Sequence, residues 1–500
     1  MIKVKNSSIV IPDYDLGDCP TIERYLTVYD KLPNGFMLPK YTLYVYNEED
    51  RELIIPRGYN ISTLRKILKD DEVKYLNKPD QSRRILIKST TTPRDDTQVE
   101  ALNFLLGAGE FANTQLYESQ KFLVLGTGKG KTYVSVTAVA NIKERAIIIV
   151  DSLQIAEQWK EAFINFTSVK EKEIYLVSGS KSINKLMKKD KFEPDYKIYI
   201  ALHQTLNSLY KNSGFFALRN LFKKIKVGVK IYDEAHASWI NICMIDACTN
   251  TKRTFYLTAT PGRSDPMENR LYNYIFEKVP KYGRNDVDSN SYKYSAEEVD
   301  ETEAYIKTYC IKYNSNPSYA TQVELNKRGM FNLNGYSDYT KTVSYDLFLS
   351  ILKKLIKIAL KDERKRRIAI ILIKNDMISK VYDSLMEEFA SDEEITIGRF
   401  CGLVPAKEKE KEKDKRIVLS TDKSLGKAIN IENIGYLINT VPFASGVVAE
   451  QMIGRLRRHG KNSYLFDVTD VGFQNCINNQ KARARTYNKK SKTTKFIDWE

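Results

Sequence analysis

No window of this 500-residue chain approaches about 18 consecutive apolar residues, so no membrane-crossing helix is expected. The opening run, Met1 to Asp15, has no long apolar segment and meets acids quickly, so no secretory signal is expected. Histidine is scarce: there are three, none near a second, which leaves little material for a zinc site. The six cysteines (Cys19, Cys243, Cys248, Cys310, Cys401 and Cys476) include no Cys-x-x-Cys pair. In a chain this long, that scatter suits reduced, buried thiols in a cytosol-like compartment. No repeat at a fixed period of about 20–50 residues is apparent.

What is abundant is positive charge. The chain carries 79 Lys+Arg against 63 Asp+Glu, a net +16, which favours a polyanionic partner without naming one. With 42% hydrophobic and 28% charged residues it is a globular sequence, long enough for three or four domains. Residues 1–90 read as a small, separate α+β module. Phe36 to Tyr46 alternates like a half-buried strand, Asn47 to Asp50 is a polar turn, Glu52 to Pro56 is the returning strand, and Ile61 to Leu68 is a short helix. Tyr41, Tyr44 and Tyr46 with Lys40 form either a nucleic-acid-binding face or ordinary packing. The Thr-rich link from Ser89 to Pro93 marks the boundary.

Short apolar runs then alternate with helical stretches. Phe122 to Leu125, Ala146 to Val150, Ile198 to Ala201, Val227 to Tyr232 and Thr254 to Leu257 are the expected strands of a parallel sheet with crossover helices. The pattern returns at Ile368 to Ile373, Ile395 to Ile397, Ile417 to Leu419 and Tyr436 to Ile438. The fold class is therefore α/β, with one parallel-sheet half over 91–270 and another over 346–470. Between them, 271–345 reads as a linker or insertion rich in Tyr, Asn and Ser, with no assigned structure. The alternating charges of Lys407 to Arg416 suit a solvated helix or loop. The basic tail, 471–500, carries seven cations and no acid between Lys481 and Lys495; it either touches phosphates or is disordered.

The strongest local signal is Thr127-Gly128-Lys129-Gly130-Lys131-Thr132, between a strand and a helix. A phosphate cradle needs glycines for close backbone approach and a helix N-terminus for oriented donors. Lys131 would reach the β- and γ-phosphates of ATP, and the Thr132 hydroxyl would hold Mg2+. The strict loop pattern wants glycine at 125, where this chain has leucine. About a hundred residues on, a strand ends in Asp233-Glu234. At the carboxyl end of a parallel sheet, Asp233 would hold the metal and Glu234 would orient and deprotonate the attacking water.

Thr127 to Thr132, Asp233-Glu-Ala-His236, Thr258-Ala-Thr260 and Gln451-Met-Ile-Gly-Arg455-Leu-Arg-Arg458 stand in the order of motifs I, II, III and VI of superfamily 2 helicases. From about 93 to 470 the chain resembles such a helicase core of DExH/DEAH type. The pattern is most similar to the phage UvsW-type branched-DNA helicases, with XPB-like and viral transcript-release helicases related. The resemblance implies two RecA-like domains in tandem and ATP with Mg2+ as cofactors. It implies Gln98 reading the adenine edge, and Ser152, Thr205 and Thr421 touching a nucleic-acid backbone. Helix caps are the alternative reading for Ser152 and Thr205. Arg94 lies one residue further from Gln98 than is usual for a base-stacking arginine, and Trp159 is read as core. Ala428 and Asn430 stand where motif V commonly has Gly and Asp. His236, Thr258 and Thr260 would couple nucleotide to strand; Gln451, Arg455 and Arg458 would meet the γ-phosphate, with Arg457 left on the surface.

The expected function is an ATP-dependent helicase or translocase that moves 3′-to-5′ on DNA and unwinds or remodels branched, forked or duplex DNA. Its expected setting is replication, recombination or repair, with proteins of those processes as partners and no membrane. It would lie in the cytoplasm, the host's if the source is viral. The alternatives are an RNA–DNA hybrid or transcript-release helicase and the motor subunit of a nuclease complex.

Overall fold

The computed structural model describes residues 1–31, 35–70, 72–112, 119–126, 128–188, 196–259, 266–283, 291–292, 305–326, 331–363, 365–389, 392, 394–421, 433–456 and 462–499. The chain divides into two units, Met1–Glu297 and Glu298–Glu500. Among the described residues no helix is long and apolar enough to cross a membrane.

The first unit begins with a five-stranded sheet in the order Val45–Asn47, Glu52–Pro56, Ser8–Ile11, Ile2–Val4, Val73–Tyr75. The stretch expected as one strand, Phe36 to Tyr46, is two. Met37–Thr42 pairs with Thr27–Lys31 as a separate antiparallel hairpin, and Val45–Asn47 joins the main sheet. The chain bends between them where Leu43, 1% exposed, drops into the core. The helix Ile61–Leu68 is capped by Asn60, whose side chain accepts from the N–H groups of Ser62 and Thr63.

This module is not a separate body. One apolar cluster runs from Ile2 to Val279 and includes side chains of both the small sheet and the parallel sheet that follows. The junction is polar as well as apolar: the Asn6 N–H donates to Asn250 Oδ1 at 2.9 Å and Asn60 Nδ2 to Glu277 Oε1 at 2.8 Å. Gly58 is required there, because a Cβ would stand 2.5 Å from the Ile275 carbonyl oxygen.

The parallel sheet of this unit runs, edge to edge, Ile174–Val177, Ile198–Leu202, Ala146–Val150, Val229–Tyr232, Arg253–Thr258, Gln120–Val124, Lys281–Tyr282 and Ser291–Tyr292. All its neighbours pair in parallel. Helices on both faces explain why Ala146–Val150 and Val229–Tyr232 are buried at every position, as continuous apolar runs require.

The second unit holds a seven-stranded, wholly parallel sheet: Ile397–Phe400, Ile417–Thr421, Arg367–Leu372, Ile434–Asn439, Ser463–Asp470, Ile306–Tyr313, Thr493–Asp498. Its helix Tyr345–Leu360 buries Tyr345, Phe348, Ile351, Leu352, Leu355, Ile356 and Ala359, the i, i+3, i+4 stripe of a core-facing helix. Two stretches whose structure the sequence left open are folded into this sheet. Ile306–Tyr313, inside the linker or insertion to which no structure was assigned, lies between two other strands of the sheet and pairs with both. The basic tail is folded: helix Gln474–Lys490 is followed by the edge strand Thr493–Asp498.

A buried ion pair anchors that helix. Arg483 Nη2 lies 3.0 Å from Asp467 Oδ2, both side chains fully buried. The same carboxylate accepts from Asn439 Nδ2 at 2.6 Å and from the Tyr487 hydroxyl at 3.4 Å. Removing one partner strands the other charge in the core. Arg483→Met should therefore destabilise the protein by about 3–5 kcal/mol in urea unfolding. Adding Asp467→Asn should recover part of that loss.

Candidate active site

The strand Gln120–Val124 leads through Leu125 and Gly126 into helix Lys131–Ile142. Gly128 and Gly130 adopt φ of 81° and 90°, a left-handed backbone that a side chain would strain. A Cβ on Gly130 would also stand 2.3 Å from Gln98 Nε2, whereas at Gly128 nothing lies within 4 Å. The helix starts at Gly130 with no side-chain cap. Its first N–H groups are thus left to whatever anion the loop receives.

Lys131 folds over this loop and donates from Nζ to the Leu125 carbonyl at 2.9 Å. Gln98, 3% exposed, donates from Nε2 to the Lys129 carbonyl at 3.3 Å and accepts from the Arg94 N–H at 3.1 Å. The Arg94 guanidinium donates to the Gly128 carbonyl at 3.1 Å. The structure thus brings Gln98, Gly128, Lys129, Gly130 and Lys131 together, with Arg94 added. Thr132 follows as the second residue of the helix. Thr127 lies outside the described residues.

Asp233 and Glu234 follow the strand Val229–Tyr232, next to the strand that ends at Thr258. Asp233 Oδ2 accepts from the Trp159 indole N–H at 2.8 Å, and Oδ1 accepts from the Glu234 N–H at 3.0 Å. Burial, and then the neighbouring Glu234 charge, push the Asp233 carboxyl up to about 6, against the pull of the Trp159 hydrogen bond and the Lys131 ammonium. That opposing pull also links the carboxylate electrostatically to the loop lysine. Glu234 holds φ of 46°, a left-handed conformation uncommon for a residue with a side chain and the kind of strain that functional sites retain. His236 Nδ1 lies 2.8 Å from Thr258 Oγ1 and 3.3 Å from Glu234 Oε2. Thr260 lies outside the described residues.

These residues suit a nucleotide with a divalent cation. The glycine loop, uncapped helix and lysine fit phosphates, and two adjacent carboxyls of which one resists ionisation fit a cation. The described residues hold no cluster of three or more His, Cys, Asp or Glu side chains arranged for a metal. A cation held by Thr132 and Asp233 would therefore draw its remaining oxygens from phosphate and water, as Mg2+ commonly does.

Away from this centre, Ser152 caps helix Leu153–Phe166, its hydroxyl accepting from the Ile155 N–H. Thr205 accepts from the Gly179 N–H at 3.0 Å. Thr205 is the third residue of helix His203–Ile225, not its cap; each hydroxyl keeps its proton, so accepting these bonds and donating to a phosphate are compatible. In the second unit Thr421 ends the strand Ile417–Thr421, and Gln451 lies on helix Gly446–Ile453, which Ser445 caps. Arg455 follows that helix, its N–H donating to the Met452 carbonyl at 3.0 Å. Arg457, Arg458, Ala428 and Asn430 lie outside the described residues. Trp159 is the residue that reading for chemistry missed: it is 1% exposed, a core residue as read, but its one polar atom holds Asp233. Nothing in sequence distance flags that contact.

A phosphate-type loop and a carboxylate pair at the carboxyl ends of the two parallel strands that flank Arg253–Thr258, with a second parallel-sheet unit in tandem, define the RecA-like α/β class. Within it the chain is similar to superfamily 2 helicases. Residues 91–263 match the family described as "Type III restriction enzyme, res subunit". A DNA 3'-5' helicase XPB of Kineococcus radiotolerans is 28% identical over 170 residues, 34% of this chain and 28% of that relative. The chain thus spans less than a third of that relative's length. Among solved structures, Dbp5 of S. cerevisiae bound to RNA and ADP BeF3 superposes with TM-score 0.51 and 15% identity, covering 82% of this chain and 90% of that one. The T4 UvsW structure aligns over 99% of each chain at 16% identity, with TM-score 0.37.

Two substitutions probe the site without a ligand. Gly130→Ala, strained at its backbone and crowded by Gln98, should cost about 1–3 kcal/mol in urea unfolding. In 13C NMR the Asp233 carboxyl should titrate near pH 6. Trp159→Phe should move that midpoint upward, because the indole N–H bonds the ionised form. The folded state holds this proton more tightly than the unfolded chain. The resulting cost to nucleotide-free stability is full above about pH 6 and vanishes as pH falls through the ordinary carboxylate range.

Proposed function

We propose that this chain is an ATP-dependent helicase or translocase that moves 3′-to-5′ on DNA and remodels branched, forked or duplex structures. The observation that carries this reading is the joint arrangement of the glycine loop with Lys131 and the Asp233–Glu234 pair on the two strands that flank Arg253–Thr258, all within the matched residues 91–263 of a chain similar to XPB-named DNA helicases. The net charge of +16 supports a grip on phosphates with little base specificity.

In this reading Gln98 reads the base edge and the loop N–H groups with Lys131 hold the phosphates. Mg2+ held by Thr132 and Asp233 would lower the charge on those phosphates. Glu234 orients and deprotonates the attacking water, and its left-handed backbone sets the direction of its carboxylate. Gln451, Arg455 and Arg458 stabilise the charge that develops on the γ-phosphate. His236 Nδ1 lies 3.3 Å from Glu234 and 2.8 Å from Thr258, so we read these residues, with Thr260, as the coupling element. Ser152, Thr205 and Thr421 donate to the nucleic-acid backbone. In the N-terminal module only Tyr41 of the three candidate tyrosines is exposed, with Lys40 Nζ 5.6 Å from its ring centroid, so the hairpin is the part of that module we assign to substrate selection. Tyr44 packs on the core, and Tyr46 donates to Asp15.

A second reading, the motor subunit of a nuclease complex, is favoured by the restriction-subunit description of the matching family. ATP hydrolysis across a panel of single-stranded, duplex, forked and RNA ligands tests both. Duplex or forked DNA should stimulate wild type more than RNA does. Lys131→Ala and Glu234→Gln should each lose about 10²–10³-fold, and Arg455→Ala about 10³–10⁵-fold. Stimulation by RNA alone would replace this reading with an RNA-directed one, and co-purification of a nuclease chain would favour the second. Absence of any nucleic-acid stimulation would end the motor assignment.

A further inference from the structure

The helix Gln474–Lys490 has one face sealed and the other cationic. Cys476, Gln480, Arg483, Ala484 and Tyr487 are buried, and the Arg483–Asp467 pair fixes the helix's rotation about its axis. Asn479 Nδ2 ties it to the Pro442 carbonyl at 2.6 Å, in the segment leading to helix Gly446–Ile453. The next strand is held too: the Lys492 N–H donates to the Ile306 carbonyl at 2.8 Å. The basic run is therefore rigidly presented.

Of its seven cations, Arg483 is inside and Lys490 lies 3.7 Å from Glu450. Lys481, Arg485, Lys489, Lys492 and Lys495 are exposed, and among the described residues none of them forms an ion pair. Asp498, on the following strand, pairs with Lys312 at 3.7 Å. Lys481, Arg485 and Lys489 recur every fourth residue, so they line one side of the helix at intervals of about 6 Å. Like charges at that spacing repel one another, a repulsion that a bound polyanion relieves.

We propose that this face is a phosphodiester-backbone contact surface of the second unit, added to the motif residues and resting on the nucleic-acid reading above. A membrane surface fits poorly, since the apolar side of the helix faces the protein and Asn478 and Asn488 share the exposed side with the cations. A linear polyanion fits the straight, evenly spaced row.

The test is Lys481→Gln/Arg485→Gln/Lys489→Gln in the full chain, which retains good helix formers. Binding of a fluorescent duplex oligonucleotide is measured from 50 to 300 mM salt. The slope of log K against log salt should fall by about two to three, close to one per phosphate contact removed. The thermal unfolding midpoint should not fall, since the substitutions also remove the like-charge repulsion. The control triple Lys353→Gln/Lys357→Gln/Lys365→Gln removes the same charge from lysines paired with Glu388 and Glu394, and should leave the slope unaltered. An unchanged slope in the first triple, or an equal fall in both, overturns the proposal. So does loss of binding to a polyglutamate peptide while the DNA slope holds, which would make the face a protein-docking one. If wild type binds no nucleic acid at all, the motor reading itself has failed, and this surface with it.

Discussion

Backbone hydrogen bonds at the carboxyl ends of adjacent strands hold the candidate site together. The Leu125 N–H donates to the Thr258 carbonyl at 3.1 Å, Ala235 to Leu257 at 2.8 Å, and Asp233 to Ile149 at 3.1 Å. These bonds continue the parallel register past the strand ends. They bring the root of the glycine loop, the acidic pair and Thr258 to one edge of one sheet, though up to 133 residues of sequence separate Leu125 from Thr258. Without that register Lys131 would not lie within electrostatic reach of Asp233.

The site is kept at some cost to the resting protein. Two carboxyls side by side, one of them buried enough to titrate near 6, and a glutamate at φ 46° are features a fold optimised only for stability would discard. Trp159 offsets part of the cost by donating to the carboxylate while filling the core. One side chain thus serves packing and electrostatics together, the situation expected where a site is set into a rigid sheet edge.

The second unit is organised around a different buried charge. Asp467 collects Arg483, Asn439 and Tyr487, and so joins a strand to the C-terminal helix. That helix also packs against Gly446–Ile453, which carries Gln451, where a Cβ on Gly446 would meet Thr486 Oγ1 at 3.0 Å. The setting of Gln451 and Arg455 therefore depends on residues that looked like a tail.

Much of the architecture was legible locally. Buried parallel strands read as unbroken apolar runs, and Ala146–Val150 is an instance whose ends coincide with expectation. The glycine loop and the acidic pair were legible because backbone φ, helix onset and carboxylate adjacency are near-neighbour properties. Ile306–Tyr313 was not legible: its lysines, threonine and tyrosines interrupt the apolar pattern, and its strand character comes from pairing with Ser463–Asp470, more than 150 residues away. The sharing of one core by the N-terminal module and the first parallel sheet, the hold of Trp159 on Asp233 and the folding of the C-terminal basic run have the same cause. Sequence alone determined the local chemistry and the order of elements. Tertiary structure decided which distant segments share a sheet or a core, because contacts closed across long stretches of chain leave no periodicity in either partner.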